Sequence, residues 1–406
     1  MNLLVLSSRP PWPPARADQL TVDRLLRHMA GRGHRVDLLC FVESAREERA
    51  LREGLGPVCR RILAVRLPRL VSYASTAAGL AGSLPMQVSY FRSAAMRRKV
   101  REVVADGDYD LVYTHLIRMA PYSRDLTLPK VLGVQISQGL NLGRMIEHAQ
   151  DPARRFFYSI EERRVRPYEA AVCGAYDRVF LCGPRDIAEI EKSAPLPNAV
   201  VCPHGQDIPK LERVRAGARE PGAIVFSGVM ATYTNVDAVT WFAREIFPRV
   251  EREVPEAKLW IVGRRPQRAV RALARAKVVV TGEVPDVVDW LRRASVAVAP
   301  LRIGAGMQNK IVQAMGAELP VVATPVANEG IGAGPEREIL LREDPAGFAR
   351  AVIALLRDPD SAARLGQAGR RFVESHWSWE THFSRMEGIF LELAGEARGG
   401  AGAPVS

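Results

Sequence analysis

Residues 299–325 read APLRIGAGMQNKIVQAMGAELPVVATP, and the order of the parts decides the fold. A strand ends at Pro300, a loop with Gly304 and Gly306 follows, and a helix begins near Met307 with Ile311, Val312 and Met315 on one side. The next strand, Leu319 to Thr324, is apolar without a break, as suits a strand covered on both faces. Strand, loop, helix, strand is the repeating unit of a parallel sheet. Glycines ahead of a helix let backbone N–H groups approach a ligand, and the helix mouth favours negative charge. Lys310, one turn in, adds a point charge suited to a phosphate. Two glycines in such a turn also serve steric needs alone, so a phosphate cradle and a plain turn both stay open.

The alternation extends in both directions. Leu3–Leu6 is an apolar run, a helix carrying Val22, Leu25, Leu26 and Met29 follows, and Arg35–Val42 is a second strand. Strands are predicted at Arg61–Arg66, Leu111–His115, Val131–Gln135, Arg178–Cys182 and Ala199–Cys202, with helices at Ala94–Ala105, Pro152–Ala171 and Arg185–Lys192. After the charged stretch at 208–222, strand and helix alternate again. The strands are Ala223–Ser227, Ala257–Val262, Val278–Thr281 and Val296–Ala299; the helices are Val236–Arg252, Gln267–Ala276 and Pro285–Arg293. A strand at Glu338–Leu341 and helices at Pro345–Arg357, Ser361–Ser375 and Trp379–Leu393 complete the chain. This is α/β architecture twice over, two doubly wound units in tandem.

The chain has 406 residues, enough for two domains, and 47% hydrophobic with 25% charged residues is a globular balance. Fifty-seven Lys plus Arg against 45 Asp plus Glu leave a net charge of +12. That suits an anionic partner, although an arginine-rich genome gives the same excess. No nucleic-acid-binding motif accompanies the charge, so nucleic acid is not expected as a partner. Cys40, Cys59, Cys173, Cys182 and Cys202 lack metal-ligand spacing, and most lie in apolar runs, so neither disulfides nor a metal are expected. The opening MNLLVLSSRPPWPP lacks the basic start of a signal peptide, and no run of about 18 apolar residues is present, so a cytoplasmic place is expected. Between Arg66 and Lys99 the chain is acid-free, with arginines among Leu, Val, Tyr and Phe. This interval, 66–101 with its flank, reads either as a surface for an anionic membrane or as a loop with a solvated helix face.

The register of the opening stretch resembles the nucleotide-sugar segment of retaining GT-B glycosyltransferases of family 4, E-G-F-G-x-x-x-x-E-A-M-x-x-G-x-P-V-V-A-T. Gly306, Ala314, Met315, Pro320, Val321, Val322, Ala323 and Thr324 match it. The family's two glutamates fall on Ala305 and Gln313, so both carboxylates are absent. From Val225 to Glu329, with FSGVMATYTNVDAVTWF and GAGMQNKIVQAM, the chain is similar to a subgroup tied to exopolysaccharide synthesis. The resemblance implies two Rossmann-like domains facing across a cleft: 1–207 on the acceptor side, a linker 208–222, and a nucleotide-sugar domain 223–376. It further implies a helix at 377–395 returning to the first domain; the composition of the end, GEARGGAGAPVS, predicts a disordered tail at 396–406.

Four strand-end loops of the second domain then supply the expected site. The first has Gly228 with Asn235 at a helix N-cap; the second has Gly263 with Arg264 or Arg265; the third has Gly282 and Val284; the fourth has Gly306, Asn309, Lys310 and Gln313. Gln313 retains one carbonyl acceptor for a ribose hydroxyl where the family has a carboxylate. Lys310 and Arg264 are the expected catalytic cations, set against the departing diphosphate without a metal or cofactor. His115, ending DLVYTH, is the expected first-domain partner of the transferred sugar, or else a structural strand-end histidine. Glu169 reads as architectural. The implied reaction is transfer of a hexose, with retention, from a UDP- or GDP-sugar to a glycan or polyprenyl-diphosphate-linked acceptor in exopolysaccharide or cell-surface polysaccharide synthesis. Peripheral attachment to the inner face of the plasma membrane stays an open option. The alternative is an inactive GT-B subunit that binds a glycan or a partner glycosyltransferase.

Overall fold

A computed structural model describes residues 1–79, 82–148, 151–203, 205, 208, 219–303 and 308–400. The chain divides into two compact units, Met1–Gly205 with His382–Ser406, and Gln206–Thr381.

The first unit is built on seven strands: β1 (Asn2–Ser7), β2 (Arg35–Val42), β3 (Arg61–Arg66), β4 (Leu111–His115), β5 (Lys130–Gln135), β6 (Arg178–Leu181) and β7 (Ala199–Val201). Their order is β3-β2-β1-β4-β5-β6-β7, and every pair is parallel. The central strands are apolar end to end because helices cover both faces: Leu3, Leu4, Val5 and Leu6 are fully buried. Truncating such a residue to alanine costs about 2–5 kcal/mol in general. The final helix, Trp379–Gly400, belongs to this unit through its body. Phe390 packs beside Tyr113 and Phe180, and Glu387 accepts from His34 Nε2 at 2.8 Å and from Arg32 Nε at 3.1 Å.

The second unit has six strands: β8 (Ala223–Ser227), β9 (Lys258–Val262), β10 (Val278–Gly282), β11 (Val296–Ala299), β12 (Val321–Ala323) and β13 (Leu340–Leu341). The order β10-β9-β8-β11-β12-β13 is again all parallel. In each sheet the winding direction reverses once, between β1 and β4 and between β8 and β11. Ligands of open α/β sheets bind at the carboxyl ends of strands beside such a reversal.

Several expectations change. The helix foreseen at Val236–Arg252 begins at Tyr233, runs to Trp241, passes through a wide turn at Phe242–Ile246 and resumes as Phe247–Glu253. Pro248 explains the wide turn, since its ring would strike the carbonyl four residues back and it has no N–H to donate. The helix foreseen at Gln267–Ala276 is one turn, Arg268–Arg271. The helix of the opening stretch starts at Asn309, two residues later than its sequence suggests. Helices not foreseen occur at Ala45–Leu55, Arg69–Gly79, Met86–Tyr90 and Gln138–His148. The last helix reaches Gly400, so residues 396–400 of the expected tail are helical. Gly304, Ala305, Gly306, most of the expected linker and residues 401–406 lie outside the described residues.

Candidate functional site

Backbone geometry at the carboxyl ends of β8, β9 and β10 makes the first wall of a cleft. Gly228 N–H donates to the Val262 carbonyl at 3.0 Å, Met230 N–H to Arg264 at 2.9 Å, and Gly263 N–H to Gly282 at 3.2 Å. These bonds draw the loops so close that a side chain on Gly263 would put its Cβ 1.8 Å from the Gly228 carbonyl oxygen. With φ at +147° there as well, only glycine fits. Gly228 faces Asn235, whose amide nitrogen would lie 2.8 Å from an added Cβ.

The cleft encloses about 460 Å³ and is lined by Ser227, Gly228, Thr234, Asn235, Gly263, Arg264, Glu283, Val284, Val287, Gln308, Asn309, Lys310 and Gln313 among others. Of the residues foreseen from sequence, Gly228, Asn235, Gly263, Arg264, Val284, Asn309, Lys310 and Gln313 therefore share one wall system. Gly282 shapes the third turn with φ at +71° but does not line the cleft. Gly306 lies outside the described residues. Gln308 and Val287 were not foreseen; Glu283 falls within the expected third loop, Gly282–Val284.

Lys310 is the centre of the arrangement. Its ammonium donates to Asn235 Oδ1 at 2.5 Å and stands 4.9 Å from the centre of the Phe226 ring. Burial beneath that ring pulls its pKa from 10.5 down to about 8, since a desolvated ammonium favours its neutral form. It makes no ion pair among the described residues. Asn235 is not the N-cap foreseen: Thr232 occupies that position, without a side-chain capping bond, and Asn235 sits three positions on. From there its amide nitrogen donates to the Val229 carbonyl at 3.1 Å and to Thr232 Oγ1 at 3.3 Å, which turns its oxygen toward Lys310. A phosphate entering this cleft meets a cation, strand-end backbone and the start of the helix Asn309–Gly316, all favouring negative charge.

In the first unit, His115 ends β4, is almost fully buried, and shares a hydrogen bond of 3.1 Å between its Nδ1 and Tyr113 Oη. It is not among the residues lining the cleft of the second unit. Glu169 accepts from Ser137 Oγ at 2.8 Å, Gln138 N–H at 2.8 Å and Gly139 N–H at 3.3 Å, so it closes the start of the helix Gln138–His148. Burial raises its pKa, while those donors lower it. The basic interval forms helices, and on Arg69–Gly79 Leu70, Val71 and Tyr73 stand exposed. All five cysteines are free, and burial pushes Cys40, Cys59, Cys173 and Cys202 upward in pKa. Among the described residues no group of His, Cys, Asp and Glu is set to hold a metal, and no helix is long and apolar enough to cross a membrane.

Comparison with known proteins adds to this geometry. Residues 221–358 match the family described as "Glycosyl transferases group 1", a span that contains the whole cleft. An "uncharacterized 44.6 kDa protein in cps region" of Klebsiella pneumoniae is 20% identical, covering 95% of this chain and 98% of that one. The GDP-mannose-dependent monoacylated alpha-(1-6)-phosphatidylinositol monomannoside mannosyltransferase of Corynebacterium glutamicum is 30% identical over 155 residues, 35% of this chain and 41% of its own length. The match to that mannosyltransferase is thus confined to less than half of it. Among solved structures, HepE of Anabaena in complex with UDP superposes with a TM-score of 0.63 at 12% identity, covering 97% of this chain and 100% of that one. Its GT-B architecture is that of the two parallel-sheet units described above.

Proposed function

We propose that this chain, whose residues 221–358 match the group 1 glycosyl transferases, is a hexosyltransferase of that type with a UDP- or GDP-sugar as its donor. The acceptor in this reading is a glycan or a polyprenyl-diphosphate-linked sugar, the product keeps the anomeric configuration, and the pathway builds exopolysaccharide or another surface polysaccharide. The observation that carries the reading is the meeting of Lys310, Asn235, Arg264 and two strand-end glycines in one cleft inside the matched domain.

The chemistry asks for charge in one place. As the bond to the anomeric carbon lengthens, the leaving diphosphate gains negative charge, and fixed cations and N–H dipoles aimed there lower the barrier. Lys310 takes the terminal phosphate, Arg264 forks onto the diphosphate, and the backbone beside Gly228 and Gly263 lets the phosphates come close. These groups are assigned the charge neutralisation that a divalent ion gives in other transferases. Asn235 positions Lys310 and keeps its ammonium aimed into the cleft. Gln313 accepts from a ribose hydroxyl, and Val284 with its neighbours holds the base. His115 is assigned to the sugar being transferred. Exposed Leu70, Val71 and Tyr73, with Arg66, Arg69, Arg92, Arg97 and Arg98 along 66–101, support docking on an anionic membrane from the cytoplasmic side.

A specific observation favours one rival. Gln313 lines the cleft where the family's carboxylate is expected, and the other carboxylate position is Ala305. An inactive subunit that binds a glycan or a partner enzyme would carry such losses. One experiment separates them: a panel of nucleotide sugars with a lipid-diphosphate acceptor, followed by product analysis, beside a titration with UDP and GDP. The transferase reading expects product with at least one donor and nucleoside-diphosphate binding at millimolar levels or tighter. Absence of both leaves the subunit.

A further inference from the structure

Among the described residues that line the cleft of the second unit, one is acidic: Glu283, which directly follows the carboxyl end of β10. We propose that its carboxylate reads the base of the donor nucleotide and selects guanine over uracil, which makes the donor a GDP-sugar. The inference rests on the nucleotide-sugar reading of this cleft and narrows it.

Position is the first ground. The order β10-β9-β8-β11 sets the end of β10 two strand spacings, about 10 Å, from the end of β8, where Asn235 meets Lys310. A nucleoside diphosphate laid along the strand ends with its phosphates at Lys310 reaches that far with its base. The backbone there is held from both sides. The Gly282 carbonyl accepts from Gly263 N–H at 3.2 Å and from Thr281 Oγ1 at 2.9 Å, which ties the residue before Glu283 to β9. Pro285 restricts the turn that follows, and Asp286 accepts from Val288 N–H at 2.8 Å to cap the helix Val287–Arg293. Val284 and Val287 line the cleft beside Glu283, an apolar wall against which a flat base can lie.

The chemistry is the second ground. Glu283 is exposed and makes no ion pair or hydrogen bond among the described residues, although Arg264 lines the same cleft. A free carboxylate works against a diphosphate at contact distance. Two strand spacings away it lies about one Debye length off at physiological salt, where that repulsion is small. Its effect on a base is larger. An ionised carboxylate only accepts, through two oxygens side by side. Guanine presents two donors side by side, its ring N–H and its exocyclic amino group, and satisfies both oxygens. Uracil presents one N–H between two carbonyls, so one carboxylate oxygen must face a carbonyl oxygen. A paired, charge-assisted contact is exchanged for one bond and a repulsion, and by such differences a polar site rejects the wrong ligand. The two ribose hydroxyls are another donor pair on the ligand, but both nucleotides carry them, and Gln313 is assigned to them.

The test is calorimetric titration of the full chain with GDP, UDP and inosine diphosphate, which keeps the ring N–H of guanine and lacks its amino group. In the parent chain GDP should bind about tenfold more tightly than UDP, or better, with inosine diphosphate between them. Glu283→Gln keeps the length of the side chain but turns one acceptor into a donor, so GDP should weaken about tenfold while UDP tightens. Glu283→Ala removes both the attraction and the repulsion, and should bring the two nucleotides within about threefold of each other. Circular dichroism verifies the folding of both variants. UDP as tight as GDP in the parent chain overturns the proposal, as does a preference for GDP that survives both substitutions. An equal loss of GDP and UDP in Glu283→Gln overturns it too, and moves the carboxylate to the ribose that both share. Each of those outcomes leaves the nucleotide-sugar reading intact. A parent chain that binds none of the three sinks that reading, and this inference with it.

Discussion

In the second unit one lysine faces its cleft with a neutral amide as its nearest partner; in the first, two arginines lean on one carboxylate oxygen. The two solutions hold positive charge ready in different ways. Lys310 is half-buried beside the Phe226 ring and has no counter-ion among the described residues, so its charge depends on pH and on what enters the cleft. Arg9 and Arg118 stay charged at any ordinary pH, and Asp18 fixes where they point. A site that must gather charge during a reaction gains from the first arrangement; a standing charge is all that the second supplies. The comparison is most easily broken from the second unit, where the cleft depends on single residues.

The largest effect is expected at Gly263. Its Cβ would lie 1.8 Å from the Gly228 carbonyl, so Gly263→Ala forces two loops apart. A loss of about 3 kcal/mol in urea unfolding is expected, with nucleoside-diphosphate binding abolished. Stability close to that of the parent chain would show that the loops are not locked together. Next comes Asn235→Ala, which frees the ammonium of Lys310: donor affinity should fall about tenfold by calorimetry, in a chain whose folding is verified by circular dichroism. Unaltered affinity would remove Asn235 from the machinery.

The pH dependence sharpens the contrast further. Burial favours neutral Lys310, with a pKa of about 8, and a bound diphosphate favours the charged form, so binding takes up a proton once pH exceeds that value. Affinity should therefore fall as pH rises above 8, by up to about tenfold per unit. Lys310→Arg keeps its charge and should flatten the profile; a slope that survives the substitution assigns the proton elsewhere. The smallest effect is expected from Gln313→Glu, where a charge-assisted bond replaces a neutral one and donor affinity should rise about threefold. A fall instead would place Gln313 away from the ribose.

How legible each region was in the sequence follows the same division. Strands such as Leu3–Leu6 and Val321–Ala323 announce themselves as unbroken apolar runs, because both faces are covered. Lys310, Gly228 and Gly263 were legible because they follow strands in a fixed alternation, and that alternation alone brings them to one end of the sheet. The wide turn at Phe242–Ile246 was hidden, since Pro248 in an otherwise periodic stretch reads as a helix start as easily as an interruption. The helix Arg69–Gly79 was hidden too, with its exposed Leu70 and Tyr73 giving no one-sided stripe. The arginine pair of the first unit was the least legible. Asp18 and Arg118 are 100 residues apart, and no spacing rule joins a residue of the first helix to one after β4.

Turnover in Lys310→Ala is the most direct test of the central claim. With the nucleotide sugar that serves the parent chain best, and folding verified by circular dichroism, kcat should drop about 100-fold or more. A folded Lys310→Ala chain that makes product at the parent rate would contradict the account, because the departing diphosphate would then have no need of this cation.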